Sequence, residues 1–441
     1  MEHIGKTLSV GWILPFALLL LSIALVPLKF PHWWESNRNK GFVSFILALP
    51  VAILFLGLDY HHLLHTAMEY FSFIVLLLSL YVISGGIVLR GDLKATPFVN
   101  TAFLAVGAVL ANFIGTTGAS MLLIRPLLRT NSERKKTSHI PIFFIFIVSN
   151  IGGLLTPLGD PPLFLGYLRG VPFTWTFRLL PIWVVAVGLV LLIFYIFDYR
   201  AVKKERPQDI TYDSTHIRPL QVCGKMNFLY LGGVIVAIIL AGFFEQQGIN
   251  PTPWRELVML AMTALSYKST QKELHTENKF SFGPIIEVAV LFAGIFVTMV
   301  PALLILRERG GEFGLITQPW QFFWLSGGLS SFLDNAPTYL TYLSLGQGVT
   351  ETLKAQGAVF PTVAVQGGNI SEILLMAVSA GSVLMGANSY IGNGPNFMVK
   401  SIAEDTGLKM PSFFGYMVYS CLILVPTFIL ITFIFFNPFT K

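Results

Sequence analysis

The stretch Leu-Gly-Asp-Pro-Pro at residues 158–162 interrupts a long apolar segment about midway, and Ile-Gly-Asn-Gly-Pro at residues 391–395 interrupts another in the same way. Each segment follows a further interrupted one, centred on 112–117 in the first half and on 334–338 in the second. Glycine favours irregular backbone and proline removes a helical hydrogen bond, so both residues break helices. The sequence therefore predicts two pairs of broken apolar helices.

The composition indicates an integral membrane protein. Of the 441 residues, 54% are apolar and only 12% are charged, whereas about a quarter of the residues of a typical soluble domain are charged. Apolar runs near the roughly 20 residues that a spanning helix needs recur along the whole chain. We expect one membrane domain over residues 1–441, with the run at 11–28 as its first span and not a cleaved signal peptide. The two cysteines, Cys223 and Cys421, give little support to a disulfide framework or a thiolate metal site.

The layout predicted along the chain has uninterrupted and interrupted segments. Uninterrupted spans are expected near 11–28, 41–58, 67–89, 176–198, 226–245, 254–267, 284–306 and 411–437. Non-helical backbone at membrane depth is tolerated only where protein or a watery cavity satisfies its polar groups. We therefore expect re-entrant hairpins at 98–128 and 315–345, and unwound helices that still cross the membrane at 140–168 and 370–402.

The distribution of basic residues predicts the orientation, because Lys and Arg in short loops favour the cytoplasmic side. With this layout most of the 29 Lys and Arg residues fall on one side. Both termini are then expected outside the cytoplasm and the polar linker 199–225 inside it. Residues 1–198 and 226–441 would each hold about five crossings and one hairpin, and would enter the membrane from opposite faces. This arrangement is an inverted-topology repeat.

The broken helices are where we expect a binding site. Each interruption leaves helix ends at membrane depth, and their partial charges attract ions. The residues at the interruptions are mostly small or oxygen-bearing, and oxygen ligands suit a hard ion such as sodium. The candidate ion- or substrate-binding residues are Asn112, Thr116, Thr156, Gly159, Asp160, Asp334, Asn335, Thr338, Asn388 and Asn393.

Two of these candidates, Asp160 and Asp334, are carboxylates, one in each half. An aspartate at the centre of a membrane costs at least about 2.5 kcal/mol, so such a residue is a functional candidate by default. Both are candidate sodium ligands, and competition between sodium and a proton for one carboxylate would couple the two ions. The alternative is helix capping alone, since each aspartate precedes a proline in the first turn of a new helix.

Other ionisable residues have simpler interpretations. Glu69, Glu287 and Glu372 lie near predicted span ends and are expected at the interface with the headgroups. The cluster His61, His62 and His65 is expected in a solvated loop. Basic residues in 125–136 and 200–206 are explained as topology signals that meet anionic lipid, so the basic composition needs no nucleic-acid partner.

The motifs also carry a resemblance. The run from Ser149 to Pro162, with Leu333 to Pro337 and Gly386 to Asn396, resembles the ion transporter superfamily. The most similar branches are the D-type sodium/proton antiporters, the arsenite-pump and pigment P-protein group, and the citrate transporters named after a citrate/metal symporter. The resemblance implies a homodimer with a scaffold and a mobile transport region in each protomer, moving like an elevator. It also implies an ion site where hairpin tips meet unwound helices.

The sequence departs from the carboxylate-symporter branch of that superfamily. Paired Ser-Asn-Thr motifs mark the hairpin tips there, whereas this chain has Ala-Asn-Phe at 111–113 and Asp-Asn-Ala at 334–336. No Lys or Arg lies within 141–168, 320–353 or 373–399. A polyanion would meet two aspartates with no basic side chain beside them, and we therefore favour a cation as the transported species.

These observations define the expected function. The first hypothesis is a sodium(lithium)/proton antiporter of the cell membrane that uses Asp160 and Asp334 and needs no cofactor beyond the ions. The alternatives are a sodium- or proton-coupled symporter of citrate or a related carboxylate, and an arsenite-type metalloid carrier. An enzyme is disfavoured because the chain has no HExxH or GxSxG motif.

Overall fold

The computed structural model describes residues 4–206, 217–314 and 316–437. Within these ranges the protein is mostly helical, with two small antiparallel sheets. The helices are α1 (Ile4–Thr7), α2 (Leu14–Lys29), α3 (Pro31–Trp34), α4 (Asn37–Leu58), α5 (Tyr60–Gly85), α6 (Pro97–Thr130), α7 (His139–Ile147), α8 (Pro161–Leu168), α9 (Leu180–Val202), α10 (Met226–Gln246), α11 (Trp254–Ser269), α12 (Lys272–Glu277), α13 (Gly283–Arg309), α14 (Pro319–Ser330), α15 (Asn335–Ala355), α16 (Glu372–Leu384), α17 (Gly394–Asp405) and α18 (Phe413–Phe435). The strands are β1 (Val88–Asp92), β2 (Arg218–Cys223), β3 (Thr362–Val365) and β4 (Gly368–Ser371).

Eight helical segments in the described ranges are long and apolar enough to cross a membrane. They are Val10–Pro27, Asn37–Leu58, Tyr60–Gly85, Pro97–Thr130, Phe173–Val202, Met226–Glu245, Gly283–Glu312 and Phe413–Phe435. Large apolar side chains cover their outer surfaces; Phe45 and Leu56 of α4, for example, are 62% and 66% exposed. Such a surface is stable against lipid, and the multi-pass all-α membrane fold predicted from composition is confirmed.

One of these segments, α6, is folded back on itself. The side-chain amides of Asn100 and Asn131 exchange two hydrogen bonds of 2.9 and 2.8 Å across its ends. A continuous helix would hold positions 31 residues apart at about 46 Å. The chain reverses at Gly115, whose φ of 74° is readily adopted only by glycine. We call α6 hairpin 1, and it corresponds to the re-entrant hairpin predicted at 98–128.

A second hairpin, hairpin 2, consists of α14 and α15 with its tip at residues 331–334. The ring of Phe322 in α14 packs edge-on against Tyr342 in α15, with centroids 6.2 Å apart. The two arms therefore run side by side. The sequence predicted this hairpin at 315–345, and the structure extends its second arm to Ala355.

Two helices are broken and continue beyond the break, as predicted at 140–168 and 370–402. The first consists of α7, a short 3-10 helix (Ile151–Leu155) and α8; the second consists of α16, a 3-10 helix (Met385–Asn388) and α17. Every residue of α7 after His139 is buried. This explains why the helix is apolar on all sides and lacks the polar stripe of a surface helix.

The ends of the elements define two faces of the molecule. On the linker face, β1 pairs with β2 next to the start of α10, and His139 at the start of α7 lies 2.9 Å from Asp198 at the end of α9. On the opposite face, Arg169 after α8 pairs with Glu69 at 2.8 Å and its carbonyl accepts the backbone N–H of Gln366. The first broken helix therefore runs from one face to the other.

The long helices pack reciprocally. Helix α4 packs on α13, α11 packs on α5, and α5 and α13 also pack on each other. In both of the first two pairs, the second long helix of one half of the chain packs on the third long helix of the other half. An inverted repeat would produce such an arrangement, although the relation between the halves stays a prediction.

The structure corrects two expectations outside the candidate site. His61, His62 and His65 lie in the first turns of α5 and not in a loop. Glu69 is only 6% exposed and pairs with Arg169, so it is a buried partner in an ion pair and not a solvated interfacial carboxylate. The sequence could not show either point, because both depend on where α5 begins and on what packs against it.

Candidate ion-binding site

Asp160 lies where both hairpin tips and both broken helices meet. Its carboxylate is 1% exposed and accepts three side-chain hydrogen bonds. Thr116 Oγ1 and Asn393 Nδ2 donate to Oδ1 at 2.9 and 3.0 Å, and Asn335 Nδ2 donates to Oδ2. Four of the ten sequence-predicted residues are thus in direct contact, and they come from four different elements.

The donors around Asp160 are all neutral. No Lys, Arg or His within the described ranges forms an ion pair with Asp160. A buried charge without a counter-ion is strongly destabilising, and even three good hydrogen bonds leave the net charge in place. The carboxylate therefore needs a proton or a bound cation, and the geometry makes it the ionisable centre of the site.

Asn335 offers a ligand of its own. While its Nδ2 is engaged by Asp160, its Oδ1 is buried and has no hydrogen-bond partner among the described residues. Buried amide oxygens are normally paired, so an unpaired one at a candidate site is itself a candidate ion ligand. A sodium ion, which binds through oxygens, suits a carboxylate beside a free amide oxygen.

Asp334 takes the second predicted acidic position, at the tip of hairpin 2. Its Oδ1 accepts the backbone N–H of Ala336 at 3.0 Å, which caps the start of α15 as the capping interpretation predicts. The residue is half-buried and next to Asn335, so it is adjacent to the Asp160 carboxylate without touching it. Thr338, one turn further, donates to the Asp334 carbonyl at 3.0 Å and does not reach Asp160.

Gly159 contributes to the site through its backbone, because glycine has no side chain that could bind an ion. Its carbonyl accepts the N–H of Thr116 at 2.9 Å, which fastens the tip of hairpin 1 to the broken helix. A Cβ on Gly159 would collide with the backbone of Gly153. Glycine is needed here for the close approach of two chain segments, and that contact sets the position of Asp160.

Two other predicted residues have structural roles. Asn112 donates from Nδ2 to the carbonyl of Ala108 at 2.9 Å, and its Oδ1 accepts the N–H of Leu155 at 2.8 Å. Thr156 donates from Oγ1 to the Asn112 carbonyl. Because these polar atoms are engaged, Asn112 and Thr156 hold hairpin 1 against the broken helix and do not contact Asp160.

Asn388 lies in the second half at the level of the other hairpin tip. Its Nδ2 donates to Ser331 Oγ at 2.9 Å, and its carbonyl accepts from Ser420 Oγ at 2.7 Å. Its Oδ1 is buried without a partner in the part of the chain that the structure describes. Asn388 therefore offers a second free amide oxygen, and its side chain contacts hairpin 2 and not Asp160.

The same local structure recurs in the two broken helices. Thr156 donates to the Asn112 carbonyl and accepts from the N–H of Leu158, and Ser389 donates to the Ser331 carbonyl and accepts from that of Ile391. The close pair Gly153–Gly159 also has a counterpart in Gly386–Gly392. In this correspondence Asp160 matches Asn393, so the acidic group of one break is a neutral amide in the other.

Sequence reasoning omitted Asn150 from the candidate set. Its Nδ2 donates to Asn396 Oδ1 at 2.7 Å, which links the two broken helices directly, and its Oδ1 is buried without a partner in the described ranges. The carbonyl of the preceding Ser149 accepts from Asn393 at 3.1 Å. An asparagine within an otherwise apolar segment was a signal that could have identified it.

The helix ends around Asp160 create a positive potential. The second arm of hairpin 1, α8, α15 and α17 all begin beside this carboxylate. Helix N-termini carry partial positive charge and stabilise anions. These helix ends lower the cost of ionising Asp160, but they leave its charge without a counter-ion. No group of three or more His, Cys, Asp or Glu side chains within the described ranges is placed to hold a metal, so a bound sodium would take most ligands from amides, hydroxyls and carbonyls.

Comparison with known proteins gives the family. A family model described as "Putative citrate transport" matches residues 5–436. The chain belongs to this family. An uncharacterized transporter of Synechocystis sp. (strain ATCC 27184 / PCC 6803 / Kazusa) is 22% identical over 320 residues, which cover 68% of each protein. As a member of the family, the protein is a membrane transporter of the citrate-transporter group and not an enzyme.

Proposed function

We propose that this transporter is a secondary sodium(lithium)/proton antiporter in which Asp160 binds a sodium ion in one state and a proton in the other. The observation that carries the proposal is the buried carboxylate with three neutral donors and no counter-ion. Neutralisation by either cation allows the site to cross the membrane, and an empty charged site is held back by the cost of moving a charge through lipid. Because a sodium ion and a proton compete for the same carboxylate, the transporter exchanges one for the other.

The ligand set supports sodium as the metal ion. Asp160 provides the charge, and the free Oδ1 of Asn335 provides a neutral oxygen next to it. Hydroxyl and carbonyl oxygens of Thr116 and Ser149 lie in the same hydrogen-bond network. In this proposal sodium displaces the hydrogen bonds that the donors make to Asp160 and turns their oxygens inward. Asp334 contributes a second negative charge and Asn393 a neutral amide, and Asn388 offers its free amide oxygen beside hairpin 2.

We further propose that residues 1–198 and 226–441 are inverted repeats, with the linker 199–225 in the cytoplasm and both termini outside. The recurring hydrogen-bond pattern of the two broken helices supports this relation, as does the reciprocal packing of α4 on α13 and α11 on α5. Transport would move the hairpins and broken helices against these long helices, in an elevator-like displacement within a homodimer. Residues 207–216 of the linker lie outside the described residues.

A second candidate is the coupled uptake of citrate or a related carboxylate. The family description favours it, and the four helix N-termini beside Asp160 could hold substrate carboxylates without a basic side chain. In that case Asp160 and Asp334 would bind the coupling cation. The antiport proposal places no anion at the site. Sodium alone should therefore move protons in an antiporter, whereas a symporter also requires the carboxylate substrate.

The test uses purified protein in liposomes that contain a trapped pH dye. Antiport predicts that sodium or lithium chloride, added outside acidic vesicles, makes the lumen alkaline, and that potassium does not. Symport predicts sodium- or proton-dependent uptake of labelled citrate and no dye response to sodium alone. Asp160→Asn should abolish either activity, whereas Glu273→Gln, a matched loss of charge at an exposed position of α12, should not. Full activity in Asp160→Asn would refute both versions.

A further inference from the structure

A cavity of about 260 Å³ opens on the linker face, away from the Asp160 site. Its wall is formed by the second arm of hairpin 1, by the loop between α12 and α13, and by the end of α17. The lining residues are Arg125, Leu128, Arg129, Ser132, Lys279, Ile402, Asp405 and Thr406. Three cationic side chains therefore face one carboxylate, and the cavity carries a net positive charge.

Arg125 is the least satisfied of these cations. Its Nη1 is buried and has no hydrogen-bond partner among the described residues. A guanidinium presents five N–H donors in a fork that matches carboxylate and phosphate groups, and an enclosed donor without an acceptor is costly. By contrast, Lys279 pairs with Asp405 at 3.0 Å and Arg129 donates to the Leu89 carbonyl at 3.0 Å. The carboxylate in the lining, Asp405, pairs with Lys279, so Arg125 Nη1 is left to bind an acceptor from outside the described residues.

An apolar cluster lies next to the cavity along hairpin 1. Tyr81, Met121 and Ile285 form a buried cluster, and Met398 packs against it. Met121 and Arg125 lie one turn apart on hairpin 1, so they occupy the same side of the helix. The cavity therefore lies one turn nearer the linker face than this cluster. A ligand in it would be held by charge on the linker side of this apolar cluster.

We propose that this cavity is a binding site for a compact anion carrying two or more negative charges on carboxylate or phosphate groups. Arg125 and Lys279 bind the anion from two sides, Arg129 adds charge, and Asp405 competes with the ligand for Lys279. The ligand would be either a free anion or the phosphate headgroup of an acidic lipid. The site is separate from Asp160, and the inference does not depend on which ion Asp160 binds.

The test measures binding to the purified full-length protein by calorimetry at low ionic strength. Citrate and inorganic phosphate are the multivalent probes, and lactate is the monovalent control. We expect Arg125→Gln to weaken citrate and phosphate binding about tenfold or more, as the loss of a charge-assisted hydrogen bond to a buried group implies. Asp405→Asn should tighten binding several-fold, because the internal competitor is removed. The matched control Lys272→Gln, exposed on α12, should bind like the wild type.

The same measurements in an Asp160→Asn background distinguish the cavity from the central site. Arg125→Gln should weaken anion binding in that background as it does in the wild type. A second arm compares the melting temperature in nanodiscs of phosphatidylcholine with and without cardiolipin, whose headgroup carries two phosphate groups. Stabilisation there that requires Arg125, without binding of soluble anions, assigns the site to a lipid headgroup. Without any anion, Arg125→Gln should be as stable as the wild type. The proposal fails if Arg125→Gln and Asp405→Asn match the wild type in both arms, or if Arg125→Gln is destabilised without anions.

Discussion

Asn335 at the start of α15 donates a side-chain hydrogen bond to the carboxylate of Asp160, although the two residues are 175 positions apart in the chain. The bond joins the tip of hairpin 2 to the broken helix of the other half. The candidate site is consequently complete only when both halves are assembled. An ion bound at Asp160 would contact hairpin 2 and the first broken helix together, and this shared contact gives the first prediction.

Asn335→Ala should raise the sodium concentration for half-maximal dye response about tenfold or more. The substitution leaves one oxygen of Asp160 without a donor and removes the free amide oxygen, and an unsatisfied buried acceptor costs about 1–3 kcal/mol. The control is Thr341→Ala in the same helix, whose hydroxyl only bonds back to the Pro337 carbonyl. An unchanged sodium dependence in Asn335→Ala would exclude this amide as a ligand.

Asp334→Asn separates helix capping from ion binding. Asparagine still accepts the N–H of Ala336, so α15 keeps its cap while the charge is lost. If Asp334 contributes charge to the site, transport in proteoliposomes falls at least tenfold with an unchanged melting temperature. Wild-type transport in Asp334→Asn would assign Asp334 to capping alone.

Gly159→Ala should destabilise the protein and abolish transport. The added Cβ has no space beside Gly153, and overpacking of a tight contact typically costs about 1–3 kcal/mol. The shift would also displace Asp160, the next residue. Gly394→Ala is the matched control in the second broken helix, because its Cβ would meet open space. Thermal unfolding in detergent checks the pair, and equal melting temperatures would contradict the close-approach argument.

Asp198→Asn should lower the stability of hairpin 1. Asp198 is fully buried and accepts from Arg134 at 2.6 Å and from Asn100 at 2.8 Å, beside the paired hairpin ends. Removal of one partner from a buried ion pair costs about 3–5 kcal/mol, because the other charge stays buried. Glu312→Gln breaks an exposed pair with Arg309 and should change little. Similar melting temperatures for the two variants would argue against this role.

Cysteine labelling tests the faces of the molecule. In a background with Cys223 and Cys421 replaced by serine, Lys94→Cys and Ser132→Cys flank hairpin 1 and are both exposed. An impermeant maleimide should modify both from the same side, the cytoplasm, and should modify Ala358→Cys after hairpin 2 from the other side. Labelling of positions 94 and 132 from different sides would mean that α6 crosses the membrane.

Local sequence features predicted much of this architecture. Composition and apolar run length identify a membrane protein because the cost of burying charge in lipid applies to every residue separately. Glycine and proline clusters located the four interruptions, since helix breaking depends on the residue itself. The same clusters located Asp160 and Asn393, which follow the second glycine of each close pair.

Contacts between distant segments could not be predicted in this way. Asn112 and Thr156 are polar and lie at interruptions like Thr116 and Asn335, yet they fasten a hairpin to a helix while the other two contact Asp160. Their residue types are equivalent, and only the packing of the elements decides which side chains donate to the carboxylate.

The sequence by itself determined that the protein lies in a membrane, where its helices break and which acidic groups are candidates, because these properties follow from composition and short-range backbone chemistry. The tertiary structure decided which neutral donors surround Asp160, that Arg125 lines a separate basic cavity, and that Glu69 is buried against Arg169. Hydrogen bonds and ion pairs act over a few ångströms in space, and proximity between residues far apart in the chain is set by how the helices pack.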